Sequence, residues 1–284
     1  MLSKILVPVR GDGMVETVIG HAAALAKHHN AHIVVAHCRA RAEDLMPYSR
    51  ALPSFARDTM IEQARELADQ QEQGVREQLH ELAQSLDMAE TDSPVHGTAS
   101  IKFVEEYGMM ADVIKQNGRL ADLVVVAKPD RDRNLGANSL KSALFRTGRP
   151  VLMCPPNRAV PPQFGGHMTV AWNGSLEASR AVAMTLDLAK AAQSITILSG
   201  GKGEPHGAPP EELVEYYKLR GIAADIHRFE ARNPAEALLS ITAEVGANLL
   251  VMGAYGHNHE RETLFGGNTQ VVVDKAEIPV VLVH

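Results

Sequence analysis

No stretch of this sequence comes near the ~20 consecutive apolar residues that cross a bilayer. Its opening, MLSKILVPVR, runs straight into a strand-like segment rather than a cleavable leader, so a soluble, cytoplasmic chain with no membrane partner is expected. Cysteine is nearly absent: Cys38 and Cys154 lie far apart and fit neither a disulfide framework nor a metal-binding CxxC, and both are expected to be buried, reduced thiols. A basic surplus is missing as well. The formal charge of −6 leaves no positive stripe to neutralise a phosphate backbone, which excludes nucleic acid as the main partner. Aromatic residues make up only 4%, with a single tryptophan, yet 45% hydrophobic and 22% charged residues are ordinary globular proportions that exclude disorder.

At 284 residues the chain exceeds the usual size of one core, and two units are expected. The first opens KILVPVR, a short apolar run ending in an RGDG turn, followed by MVETVIGHAAALAKHHN with apolar residues at helical spacing. AHIVVAHC reads as a second strand, IEQARELADQQEQGVREQLHELAQSL as a long amphipathic helix, ETDSPVHG as a third, edge strand, and SIKFVEEYGMMADVIKQNGR as a helix. ADLVVVAK and RPVLMCP close the half as strands. After the joint CPPNRAVPPQFGG the order repeats: HMTVAWNG, SITILSGG, AADIHRFEA, ANLLVMGA and IPVVLVH answer the earlier strands. Continuous apolar strands separated by helices require a parallel sheet covered on both faces. The fold class is therefore α/β, two tandem open five-stranded Rossmann-like domains at residues 1–156 and 166–284, with ligands gathering beyond the carboxyl ends of the strands.

The segment VMGAYGHNHERETLFGGNT, leaving the fourth strand of the second half, is the strongest candidate for such a site. Its spacing is Gly253-x-x-Gly256, nine residues, then Gly266-Gly267-Asn268-Thr269, with TQVVVDKA continuing as a helix. Glycines let backbone N–H groups approach an anion, and a helix start adds unpaired N–H groups and partial positive charge. The Thr269 hydroxyl either bonds a phosphate oxygen or caps its own helix. The stock phosphate motifs do not apply: there is no GxxxxGK[ST], and in SGGKGE Lys202 is followed by Gly203.

The pattern G-x-x-G, nine residues, G, then a small or hydroxylated residue resembles the nucleotide loop of universal stress proteins, and the order of both repeats is similar to a tandem member. ILVPV and TVAWNGS sit at that family's first strand, DLVVVAK and NLLVMGAYG at its fourth, GRPVLM and IPVVLV at its last. The resemblance implies an adenine-nucleotide alpha-hydrolase-like fold and ATP or another adenine nucleotide as ligand, with or without magnesium. It implies that Ala171, Trp172 and Asn173 border base and ribose, that Met252 lends backbone beside Gly253, and that Gly256, Gly266, Gly267, Asn268 and Thr269 receive the phosphates. Asn173 stands where the family usually has aspartate, and Gly267 where it has serine or threonine, which lowers the expected affinity. The first repeat departs further: Arg10 replaces the aspartate, and PDRDRNLGANSLKSALF lacks the three spaced glycines and carries Pro129, so no ATP is expected there. Pairing of the two domains face to face within the chain, with RPVLM and VVLV near their contact, a further homodimer and an unidentified protein partner also follow from the resemblance.

Other candidates carry less. His257 and His259 lie two apart, with Glu260 beside them, and lack a fixed third metal ligand. The remaining histidines, His28, His29, His32 and His37 among them, suggest polar surface and strand ends. Trp172 either stacks on an adenine face or is a plain core residue. Ser175 in WNGSL lacks the GxSxG elbow and reads as a helix N-cap. The run Asp130 to Arg133 is a lid, a partner surface or a solvated charged turn, and PYSRALPSF a cleft cover, a subunit contact or a loop. No nucleophile–base pair stands out, so no catalysis is expected; an enzyme would need Glu260 or Glu262 as a metal-binding carboxylate, and an empty scaffold or a different small ligand remain as other functions.

Overall fold

The computed structural model describes residues 2–9, 14–39, 54–133, 135–156, 159–200, 207–255 and 267–284, without the side chains of 54–58, 64, 65, 67, 68 and 70–72. The first half runs β1 (Lys4–Val9), α1 (Val15–His29), β2 (His32–Arg39), α2 (Ser54–Ser85), β3 (Ala89–Glu90), β4 (Ser100–Tyr107), α3 (Met110–Gly118), β5 (Leu123–Ala127), α4 (Ala137–Arg146) and β6 (Val151–Cys154). The second runs β7 (His167–Ala171), α5 (Leu176–Met184), α6 (Leu186–Ala191), β8 (Ser194–Gly200), α7 (Pro210–Lys218), β9 (Asp225–Phe229), α8 (Pro234–Glu244), β10 (Leu249–Gly253), α9 (Gly267–Lys275) and β11 (Val280–Val283). None of the described helices is long and apolar enough to cross a membrane.

All the strands join one eleven-stranded sheet in the order β3-β4-β2-β1-β5-β6-β11-β10-β7-β8-β9. Among the described strands pairing is parallel except at the seam, where β6 and β11 run antiparallel with Val280 opposite Met153, Val281 opposite Leu152 and Leu282 opposite Val151. The halves thus meet edge to edge, not face to face as the resemblance implied. The reason is that helices already cover both faces of each sheet, so the bare hydrogen-bonding edges of β6 and β11 are what is left to pair. Strands of the two halves consequently point in opposite directions.

Period-two alternation sends the seam residues into two continuous cores. Leu152, Cys154, Val281 and Val283 face one layer with α1, α5 and α7; Val151, Met153, Val280 and Leu282 face the other with α3, α4 and α9. None of these eight exceeds 1% exposure. Neither cysteine forms a disulfide and both are buried, and burial pushes the Cys154 thiol pKa up.

One expected helix is largely a strand. SIKFVEEY, read as the start of a helix, is β4, and all eight of its residues pair with β2 from His32–Ser100 to Arg39–Tyr107. Its Lys102, Glu105 and Glu106 disguise a strand whose Ile101 is fully buried and whose Glu105 accepts a hydrogen bond from Arg39 at 2.8 Å. The helix begins only at Met110. Of the expected edge strand ETDSPVHG only Glu90 is in a strand, the two-residue β3, paired through Ala89 and Glu90. His32 is not surface either: it is 7% exposed and its Nδ1 lies 2.8 Å from the Ser100 hydroxyl.

The joint between halves is packed along α1. Val160 covers Gly20, where an added Cβ would lie 3.2 Å from its methyl, and the Phe164 ring meets the His21 ring edge-on at 5.2 Å. His21 is fully buried, its Nδ1 is 2.7 Å from the Thr17 carbonyl, and burial lowers its pKa below the ordinary 6.5. Burial lowers His29 and His32 in the same direction. Above pH 6.5 these rings are neutral folded and unfolded alike; below it the unfolded chain takes up protons that the folded one refuses, so stability falls until the lowered folded values are passed. Urea midpoints measured from pH 7.5 to 5.0 are expected to decline, with at most about 1.4 kcal/mol per pH unit from each group. His21→Leu should flatten the decline; an identical pH profile would show that His21 takes no part.

Candidate ligand-binding crevice

From β7 the chain moves outward to β8 and β9, whereas β10 is followed by β11 on its other side. Strand order therefore reverses between β7 and β10, which are paired from Leu249–Met168 to Val251–Val170. A crevice opens beyond carboxyl ends at such a point, because the flanking connections leave in opposite directions. Ala171 and Met252 lie one residue past the last pair, and Asn173 and Gly253 follow.

Each residue has a local reason for its position. Ser175 caps α5, its hydroxyl accepting the Ala178 N–H at 3.2 Å, as its sequence context suggested. Asn173 is exposed at the crevice, and its Oδ1 accepts the Ser175 N–H at 3.1 Å, so the side chain shapes the turn into α5. Trp172 belongs to the core: it is 7% exposed, and its indole N–H donates to the Ala208 carbonyl at 2.9 Å. Of the two readings left open for this ring, the geometry favours the core one. Gly207, ahead of α7, lies against the same turn, for a Cβ on Gly174 would meet the Gly207 nitrogen at 2.7 Å.

Gly253 is bare for the sake of α5. An added Cβ would lie 2.5 Å from the Glu177 carbonyl carbon and 2.6 Å from the Ala178 nitrogen, so helix backbone already occupies that side. Gly267 differs: among the described residues no atom lies within 4 Å of where its Cβ would stand. Gly267 and Asn268 are exposed at the start of α9, and Thr269 is buried. The Thr269 hydroxyl accepts from the Tyr255 N–H at 3.4 Å, which ties the two ends of the glycine segment together. Gly256, Gly266, His257, His259, Glu260 and Glu262 lie outside the described residues, as do Arg10, Pro47 to Pro53 and Lys202.

Tyr255 was not foreseen from sequence. It holds a left-handed backbone, φ 61°, and its ring lies 5.1 Å from Phe145 of the first half and 6.4 Å from His284. Burial raises its phenol pKa, with Asp274 adding to the effect. The only sequence signal was its place between β10 and Gly256, where a turn is needed.

Residues 166–284 match the model of the universal stress protein family. The matched residues contain β7 to β11. No curated protein matches the chain. Among solved structures, a universal stress protein from Archaeoglobus fulgidus covers 100% of this chain and 98% of its own at 16% identity, with a TM-score of 0.73. A Pseudomonas aeruginosa protein described as a universal stress protein covers 99% and 93% at 18% identity, TM-score 0.60. The cytoplasmic domain of a prokaryotic cation chloride cotransporter covers 99% and 95% at 10% identity, TM-score 0.53. At such identities the likeness is one of fold, which several functions share.

Outside the universal stress domain, the equivalent reversal lies between β1 and β5. There Asp130 and Leu135 exchange backbone hydrogen bonds at 3.0 and 2.9 Å, making the charged run a tight hairpin turn. Arg131 reaches from it to Asp274 at 2.7 Å, and Lys128 Nζ donates to the Ala276 carbonyl at 2.9 Å. Desolvation lowers the Lys128 pKa, opposed by Asp274 and Glu277. A cavity of about 290 Å³ lies here, lined by Met14, Lys128, Gly136, Pro156 and Asp274 among others. A shallower cleft of about 790 Å³ sits at Arg232, Asn233 and Glu236 before α8.

Proposed function

We propose that the universal stress domain of residues 166–284 binds ATP or a related adenine nucleotide, and that occupancy changes the surface offered to a protein partner. The supporting observation is the topology: strand ends Ala171–Asn173 and Met252–Gly253 lie side by side at the order reversal, and the start of α9, with Gly267 and Asn268 exposed, is tied back to Tyr255 through Thr269. In this reading base and ribose lie along Ala171, Trp172 and Asn173, with the Trp172 backbone rather than its ring toward the ligand. Phosphates meet the amides of Gly256, Gly266, Gly267, Asn268 and Thr269, with or without magnesium. The domains are 1–156 and 166–284, and their pairing within one chain is supported by the β6–β11 ladder.

Binding rather than turnover is the function proposed, since Ser175 is spent on its cap. A ligand shifts the partner surface only by its differential affinity for the two states of the segment. Calorimetric titration of ATP into the intact chain tests the reading. The wild type should bind and Gly266→Val should bind at least tenfold more weakly, about 1.4 kcal/mol. Absence of heat in the wild type would return the chain to the class of empty scaffolds, and equal binding by both proteins would move the site elsewhere.

A further inference from the structure

The antiparallel seam puts the strand ends of each half beside the last helix of the other. Lys128, one residue past β5, donates to the Ala276 carbonyl just after α9, while Asp274 in the last turn of α9 is paired with Arg131. Reciprocally, Tyr255, two residues past β10, packs on Phe145 from the last turn of α4. We propose that Phe145 and Lys128 are positioning residues of the first half for Tyr255 and for α9, the two elements that the Tyr255–Thr269 hydrogen bond joins in the second half.

Three observations carry this. Tyr255 is one of four non-glycine described residues at positive φ, a conformation that persists only where surroundings enforce it. Across the seam the Phe145 ring lies tilted 5.1 Å from Tyr255 and edge-on 4.8 Å from His284, whose own Nδ1 lies 3.2 Å from the Ala254 carbonyl within the second half. Phe145 is 41% exposed, more than a ring kept for its own helix's core would be. Finally, the hydrogen bond from the Tyr255 N–H to the Thr269 hydroxyl is long at 3.4 Å and therefore a weak tie by itself. Phe145 holds one end, and Lys128 with Arg131 holds the helix that carries the other. A cation beside the last carbonyls of α9 also opposes the negative end of its dipole.

What the segment holds rests on the nucleotide reading; the positioning itself does not, so the ligand-free chain supplies the decisive measurement. Amide exchange followed by NMR should show the Tyr255 N–H exchanging about tenfold faster in Phe145→Ala, with Phe145→Tyr restoring the slow rate and Val35 in β2 unchanged. Lys128→Met should speed exchange severalfold along Gly267–Lys275. Unchanged rates at both places would overturn the proposal, and so would acceleration spread equally to Val35, which would mean general loosening. If ATP binds, Phe145→Ala should weaken it about fivefold; if ATP does not bind even the wild type, the functional reading fails while the exchange result still decides the positioning.

Discussion

Val281→Asp is expected to weaken the entire chain and not its second half alone. Val281 is fully buried, faces Leu152 across the antiparallel seam and belongs to a core that runs without a break from α1 to α7. A carboxylate placed there has no partner and neutralises at considerable cost; about 4 kcal/mol or more is expected. With a urea slope of about 3 kcal/mol per molar, the midpoint should fall by roughly 1 M or more. Trp172 fluorescence reports on the second half, and far-UV circular dichroism on both. The two midpoints should coincide in the wild type and fall together in the variant, because a shared core couples the halves into one transition. A dichroism component left at the wild-type midpoint would show that the first half stands without the seam.

Gly253→Ala is expected to be the most damaging methyl addition in the crevice, and for a reason unrelated to any ligand. Its Cβ would sit 2.5 and 2.6 Å from backbone atoms of Glu177 and Ala178, which cannot rotate away as a side-chain tip would. Either α5 shifts or β10 bends, at about 3 kcal/mol, the upper end of ordinary overpacking. Gly267→Ala is the contrasting variant, with open space around the new methyl and a helix-start position; its stability should stay within about 1 kcal/mol of the wild type. Thermal or urea denaturation of ligand-free protein checks both. Equal stability of Gly253→Ala and the wild type would mean that α5 does not press on β10 as described. The contrast governs any binding assay, since loss of affinity in Gly253→Ala reports a displaced helix, whereas loss in Gly267→Ala, which keeps its N–H, reports a methyl group standing in the ligand's way.

Much of the sheet is readable from the residues. β1, β2, β5, β6, β10 and β11 are runs of valine, leucine and isoleucine too short for buried helices and too uniform for half-exposed strands. β4 was not readable, because its charged residues face polar partners, Glu105 against Arg39, that only pairing with β2 supplies. In the crevice, the turn at Ser175 was legible since a cap is a local device. The purpose of Gly253 was not: a bare Cα reads the same whether a phosphate or a neighbouring helix needs the room. Lys128, Phe145 and Asp274 gave no signal at all, for their contacts arise from the direction in which β6 meets β11, and nothing within either half encodes that direction.

That direction also settles what a duplicated chain of this architecture can hold at once. Had the copies joined in parallel, both crevices would share one rim and crowd each other; joined head to tail, they look out on opposite horizons. Whatever meets one rim leaves the carboxyl ends of the other half's strands, on the opposite rim, uncovered.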